Sequence, residues 1–188
     1  MRANGLRGLW MVTALLLGTG MAVAGTAPAA LPQSDDAIAK AVRHEILLYP
    51  HYTIFDNLAF RVNQGKVELI GAVTEPYKKS DLGKTVEHLP GVTGVTNELE
   101  VLPLSNMDNR LRLEIARAIY RDPSLSTLGF QALPPIHIIV DNGHVTLEGV
   151  VNTELQKQVA GVRAASSGLS FGPVTNNLRV ENPPARQG

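Results

Sequence analysis

The chain has 188 residues, with 17 basic and 17 acidic side chains and no cysteine. The lack of cysteine excludes disulfides, thiolate metal sites, a cysteine nucleophile and lipid attachment through cysteine. Because positive charge is not in excess, the sequence offers no general field for nucleic acid, and electrostatic binding would need a local patch.

The first 24 residues have the layout of a secretory signal peptide. Arg2 and Arg7 form a positive start, an apolar run follows from Leu9, and the small residues Ala22-Val23-Ala24 suit a cleavage site. A transmembrane anchor is the alternative, but a span needs about 20 apolar residues, and this run is short and broken by glycines. We therefore predict export and cleavage after Ala24, which leaves 15 basic against 17 acidic residues.

A repeated phrase organises the remaining chain. "GKVELIGAV" (65–73) returns as "GHVTLEGVV" (143–151), and "VTGVTNELEV" (92–101) is echoed by "FGPVTNNLRV" (171–180). The repeat predicts two modules of similar architecture rather than a catalytic loop. The predicted boundaries are a signal peptide at 1–24, a flexible linker at 25–34, modules at 35–103 and 109–182, a linker at 104–108 and a disordered tail at 183–188.

The first copy is predicted to begin with a helix capped at Ser34 and stopped by Pro50, with an apolar stripe at Ile38, Val42 and Ile46. A hairpin follows, turning at Gln64-Gly65 and placing Arg61 opposite Glu68. A second helix, "EPYKKSDLGKTVEHL", and a third strand, "VTNELEV", complete the copy.

The second copy repeats this order. Its helix is predicted to be capped at Asp108 or Asn109 and stopped by Pro123, with a stripe at Leu111, Ile115 and Ile119. The turn Asn142-Gly143 predicts a hairpin in which His137 faces Glu148 on the solvent side. The second helix, "TELQKQVAGVRAAS", has Leu155, Val159 and Val162 at helical spacing, and "VTNNLRV" forms the last strand.

These elements predict an α+β fold of two tandem αββαβ modules, each a three-stranded mixed sheet with two helices on one face. Because one face of each hairpin is apolar and the other charged, we expect only one face to be covered in the monomer. Gly71 and Gly149 stand where the second strand leaves for the helix, and we interpret them as permitting close helix–sheet approach.

The pattern G-x-V-x-L-x-G-x-V, then a helix, then P-G-V-x-x-V-x-N-x-L-x-V resembles the BON domain. The first copy carries it from Gly65 to Val73 and from Pro90-Gly91 to Val101; the second departs at "SGLSFGPV", where the turn should differ. Its structural glycines are Gly65, Gly71, Gly91, Gly143 and Gly149. The resemblance covers about residues 35–182 and is closest to osmotically inducible periplasmic and outer-membrane-associated BON proteins. It implies a periplasmic, non-enzymatic module, for which phospholipid binding is the usual proposed activity.

Apart from this resemblance, the sequence carries no motif for catalysis or for a cofactor. The histidines form no metal-binding pair, and solvent-facing strand histidines are favoured over a zinc site. No phosphate-binding glycine loop or Gly-x-Ser-x-Gly turn is present. We therefore expect no enzyme, no metal and no cofactor.

The second copy differs from the first by about five extra residues in "SLSTLGFQALPP" (124–135). A rotation of 100° per residue turns Leu113, Arg117 and Tyr120 outward on the preceding helix, with Arg121 close by. Together with Phe130, these residues suit an anionic bilayer interface. The insertion could instead cap the core, pack against the first copy or contact a protein partner.

Three functions follow from these alternatives. The first is contact with the anionic phospholipid of the envelope, in support of envelope integrity or the osmotic stress response. The second is a protein-interaction or chaperone-like stress protein without lipid binding, and the third and weakest is binding of a small ligand or ion. Nucleic acid is not an expected partner.

Overall fold

The computed structural model describes residues 34–167 and 172–181, in which two modules follow each other along the chain. The first module contains α1 (Asp35–Leu48), β1 (Asn57–Asn63), β2 (Lys66–Val73), α2 (Pro76–Glu87) and β3 (Gly94–Val101). The second contains α3 (Asn106–Tyr120), a 3-10 helix (Ser126–Phe130), β4 (Ile136–Asp141), β5 (His144–Val151), α4 (Glu154–Ala165), β6 (Thr175–Asn176) and β7 (Arg179–Val180). The predicted signal peptide at 1–24 and the tail at 183–188 lie outside the described residues.

Each module has a mixed sheet, as predicted. β2 pairs antiparallel with β1 and parallel with β3, and β5 pairs antiparallel with β4 and parallel with β6 and β7. The predicted registers are confirmed, since Arg61 lies opposite Glu68 and His137 opposite Glu148. In the second module the third strand is interrupted between β6 and β7.

The helices bury the predicted stripes of α1 and α3, but the face of α4 was predicted wrongly. Leu155 and Val162 are 63% and 66% exposed, whereas Ala160 and Ala164 are fully buried. Val159 packs on the core only in part. The small alanine side chains let α4 lie close to the sheet, so the larger residues are left on the outer face.

Two polar contacts recur in both modules and hold helices to strands. Asp35 accepts hydrogen bonds from the backbone amides of the first hairpin turn, and Asp108 does the same for the second turn. Asn97 and Asn176 each donate to a carbonyl of the second helix of their module. The predicted cap at Asp108 or Asn109 is therefore wrong: Ser105 caps α3, and Asp108 serves the hairpin instead.

The strand-exit glycines are required by the neighbouring strand rather than by a helix. Gly71 and Gly149 have φ values of 121° and 119°, and a Cβ at either would collide with a backbone carbonyl, that of Asn57 or Pro135. At Gly83 and Gly161 an added Cβ would instead meet the Asn side chain that joins the second helix to the last strand. The glycines that permit a close helix–sheet approach are therefore Gly83 and Gly161 in the helices, not Gly71 and Gly149 at the strand exits.

None of the helices in the described ranges is long and apolar enough to cross a membrane.

Candidate functional site

The predicted contact residues other than Tyr120 lie on the outer face of α3, at its C-cap and in the 3-10 helix. Leu113 is 46% exposed, and Arg117 and Arg121 are exposed near the C-terminal end of the helix. Phe130, in the 3-10 helix, is 88% exposed, which is unusual for so large an apolar side chain. These four side chains offer two positive charges and two apolar groups to solvent.

Tyr120 does not face outward as the sequence predicted. Its ring packs against the core of the second module, and its hydroxyl donates a hydrogen bond to the Ile136 carbonyl at 2.9 Å. Burial raises the pKa of this hydroxyl well above its usual value. The side chain of a tyrosine near the end of a helix is long enough to reach the adjacent strand. The direction in which the residue leaves the helix was therefore not sufficient to predict where its ring and hydroxyl lie.

The inserted segment is partly structural. Leu125 and Leu128 are buried in the core of the second module, which supports the interpretation that the segment caps the core. Gly129 lies against the ring of Tyr120, so the following Phe130 is held near the C-terminal end of α3. Core packing explains the two leucines and leaves Phe130 unexplained.

Asp122 anchors the start of this segment to α4. It accepts hydrogen bonds from the backbone amide and hydroxyl of Ser124, and Arg163 Nε donates to it at 2.7 Å. The bonds from Ser124 and the pairing with Arg163 hold the pKa of Asp122 below its usual value. The base of the segment is therefore fixed even though Phe130 is exposed.

A second group of functional interest lies where the modules meet, and no sequence pattern indicated it. Asp56 is completely buried and accepts hydrogen bonds from Thr53, Thr74 and Lys78, with Lys78 Nζ at 2.7 Å from Oδ2. Burial alone would raise the pKa of Asp56, but the hydrogen bonds from Lys78, Thr74 and Thr53 outweigh it and lower that pKa.

His137 connects this group to the second module and is buried, contrary to the prediction of a solvent-facing histidine. Its Nδ1 lies 2.6 Å from the Asp56 carbonyl oxygen, and its ring stacks on Tyr52 with centroids 5.4 Å apart. Burial lowers the pKa of His137, although the Asp56 carbonyl favours its charged form. Burial and the charge of Asp56 raise the pKa of Tyr52 to about 12.

The backbone next to His137 also contacts the first module, and together with Asp56 and His137 it forms the junction between the modules. Ile138 on β4 donates its amide hydrogen to the Ile54 carbonyl at 2.7 Å, and Ile54 and Phe55 pack against the core of the second module. A cavity of about 410 Å³ is lined by residues from the outer faces of both sheets, including Ile70 and Ile139. The helices lie on one face of each sheet, as predicted. The other face of the second sheet is covered in part, since His137 on that face is buried against the first module.

Among the described residues, no group of three or more His, Asp or Glu side chains is placed to hold a metal ion.

Two αββαβ units joined end to end, with a polar junction between them, define the class of this protein as a duplicated α+β module. The chain belongs to the BON domain family, whose model matches residues 34–103 and 108–182. BON domains bind phospholipid in envelope-related proteins and are in general non-catalytic, and the proteins that carry them are generally periplasmic or envelope-associated.

Comparison with solved structures found CdsD, a structural protein of the type III secretion system of Chlamydia trachomatis. One CdsD structure is 21% identical, with 77% of this chain and 61% of that chain covered and a TM-score of 0.30. A structure of the CdsD C-terminal domain is 22% identical, with 79% and 66% covered and a TM-score of 0.29. This chain thus spans about three fifths of the length of the first. The comparison with curated proteins found no match.

Proposed function

We propose that this protein is a non-enzymatic binding module of the periplasm. In this proposal it contacts anionic phospholipid through the outer face of α3 and the 3-10 helix, and supports envelope integrity or the osmotic stress response. The observation that carries the proposal is Phe130, an 88% exposed aromatic side chain held near the end of a helix that presents Arg117 and Arg121 to solvent.

The charges and the apolar groups have to act together. A basic side chain near an anionic membrane surface contributes about 1 kcal/mol, so Arg117 and Arg121 alone would bind weakly. Insertion of Phe130 and Leu113 at the headgroup level adds burial of apolar area. Tyr120 is not part of this surface, because its hydroxyl and ring are engaged inside the module.

Liposome flotation of the mature chain tests the proposal. Binding should require anionic lipid and weaken as salt is added, since charges are screened beyond about 8 Å at physiological ionic strength. The double variant Arg117→Glu, Arg121→Glu should lose binding without unfolding, because both side chains are exposed. Phe130→Ser should weaken binding and leave its salt dependence in place.

The matched control changes the charge by the same amount on the first module. Lys40 on α1 and Lys84 on α2 are both exposed, and Lys40→Glu, Lys84→Glu should float as the unmodified chain does. Equal binding by the Arg117, Arg121 variant would contradict the proposed surface. Equal loss in both double variants would show that only net charge matters.

A second candidate, a protein-interaction module, is favoured by the outer face of α4. Leu155 and Val162 lie two helical turns apart and are both mostly exposed, and an apolar pair of this kind suits a protein partner. Failure of the unmodified chain to float with any lipid would favour this candidate over the first.

A further inference from the structure

The outer face of α3 has a cleft on one side of Leu113 and projecting side chains on the other. The cleft has a volume of about 410 Å³ and is lined by Asn109 and Leu113 of α3, by the start of α2 and by the segment after α1. Arg117, Arg121 and Phe130 lie towards the opposite end of the helix. Leu113 is the middle residue of α3 and is 46% exposed, so it separates the two features.

The lining of the cleft is suited to an aromatic side chain. Tyr77 and His51 meet edge to face with ring centroids 5.5 Å apart, and Pro50 and Phe55 line the cleft beside them. The side chain of Tyr77 is 47% exposed, so its ring can be reached from solvent. Aromatic rings pack favourably edge to face or offset, and a further ring can therefore add to this pair.

The cleft and the projecting side chains also differ in charge. Glu75 lines the cleft, and its carboxylate makes no capping hydrogen bond to α2. Arg117 and Arg121 are exposed, and no ion pair between described residues includes either arginine or Glu75. Opposite charges on two surfaces favour their association and fix its register.

A twofold axis at Leu113 would bring the projecting side chains of one copy to the cleft of another. In an antiparallel pair of α3 helices, residues at equal distances on either side of the axis face each other. Asn109 and Arg117 lie in opposite directions from Leu113, each at about 6 Å along the helix, so Arg117 of one copy would lie at the acidic cleft of the other. Arg110 would face Ala116, so the arginines of the two helices do not oppose each other.

Phe130 is placed to enter the same cleft. It is 88% exposed, and the preceding Gly129 lies against the ring of Tyr120, the last residue of α3. Tyr120 is about 10 Å beyond Leu113 along the helix, so Phe130 of one copy would be level with the N-terminal turns of α3 in the other. Aromatic and arginine side chains that fill a pocket contribute most to the stability of an interface.

We propose that two copies of this chain associate through this face, with their α3 helices antiparallel about a twofold axis at Leu113. Phe130 of each copy occupies the cleft of the other, and Arg117 of each pairs with Glu75 of the other. The contact is self-complementary, so it closes as a dimer and does not continue into a filament. It uses the face proposed for lipid contact but does not rest on lipid binding, because the dimer forms in solution.

Disulfide cross-linking tests the position of the axis, since the chain has no cysteine of its own. Helices about 8–10 Å apart, with Cα atoms at a radius of about 2.3 Å, bring Cα atoms on the axis to roughly 3.5–5.5 Å, which overlaps the disulfide range of about 4.4–6.8 Å. Leu113→Cys should therefore give a covalent dimer on mild oxidation. Arg110→Cys, exposed on the same helix, should not, because its two Cα atoms would be about 9 Å apart along the helix alone.

Sedimentation equilibrium of the mature chain without lipid tests the contacts. Glu75→Arg and Arg117→Glu should each weaken the dimer at least about fivefold, because each change occurs twice in a symmetric dimer. The two changes combined in one chain should restore most of the affinity. Phe130→Ser should weaken the dimer at least about tenfold. Glu87→Arg changes the charge equally at the other end of α2, outside the cleft lining, and should leave the dimer unchanged.

Several results would overturn the proposal: a monomer at every concentration, oligomers larger than a dimer, or equal cross-linking of Leu113→Cys and Arg110→Cys. A loss in Glu75→Arg that the added Arg117→Glu does not restore would do the same. If a charge variant does not fold, Phe130→Ser and the two cysteine variants still decide. None of these measurements contains lipid, so a negative result here leaves the flotation test of lipid contact unaffected.

Discussion

The buried pair of Asp56 and Lys78 should dominate the stability of the first module. Asp56 is fully buried and Lys78 is 4% exposed, and each oxygen of the carboxylate accepts from Lys78 and from one threonine. Asp56→Asn preserves size but leaves the ammonium group buried without a counter-charge. Removing one partner of a buried pair costs about 3–5 kcal/mol, a large part of the 5–15 kcal/mol of typical stability.

Urea denaturation followed by circular dichroism measures this cost, provided that the slope of the transition is unchanged. The matched control is Glu68→Gln, which breaks the pair with Arg61, whose side chains are 33% and 75% exposed. That exposed pair should contribute less than about 1 kcal/mol. If Asp56→Asn costs no more than Glu68→Gln, the reasoning about burial is refuted.

The same variant has a pH signature. Because the folded pKa of Asp56 is lowered, its stabilisation is present above the unfolded value of about 3.9 and is lost as the pH falls through the lower folded value. The difference in stability between the unmodified chain and Asp56→Asn should therefore shrink in acid. A difference that is constant from pH 7 to pH 2 would contradict this assignment.

Two further predictions concern His137 and Gly71. The pKa of His137 is lower in the folded than in the unfolded chain, so its contribution to stability is complete above the unfolded pKa of about 6.5 and is lost as the pH falls from there through the folded pKa. In thermal unfolding, His137→Gln should lose less stability between pH 7 and pH 5 than the unmodified chain does. The same change of stability with pH in both proteins would argue against this. Gly71→Ala should lower the free energy of unfolding by roughly 3 kcal/mol or more, because φ is 121° and the methyl group would meet the Asn57 carbonyl. The control is Gly94→Ala, whose added Cβ would have no atom within 4 Å. Its free energy of unfolding, measured by urea denaturation, should stay within about 0.5 kcal/mol of that of the unmodified chain.

The modules and their hairpins were predictable because local signals decide them. The stripe of Ile38, Val42 and Ile46 has the helical period, and Asn142-Gly143 adopts the left-handed conformations that such turns need. The face of α4 was mispredicted because periodicity alone favours the larger side chains, whereas Ala160 and Ala164 are the fully buried residues of this helix.

The junction could not be predicted from the sequence for a different reason. His137 and Asp56 are 81 residues apart, and no local pattern reports a contact at that separation. The alternation of β4 indicates which side chains point away from the core of the module. It does not indicate whether solvent or another part of the chain lies against those side chains.

The bond between Ile138 and the Ile54 carbonyl has a consequence for how the chain behaves in crowded solution. β4 is the outermost strand of its sheet, and exposed amides on such strands recruit strands of other molecules into aggregates. Here a segment of the same polypeptide occupies that amide, and the neighbouring Phe55 covers apolar surface beside it. A fragment that contained only the second module would expose the Ile138 amide and the apolar surface under Phe55. The first module therefore protects β4 against pairing with strands of other molecules.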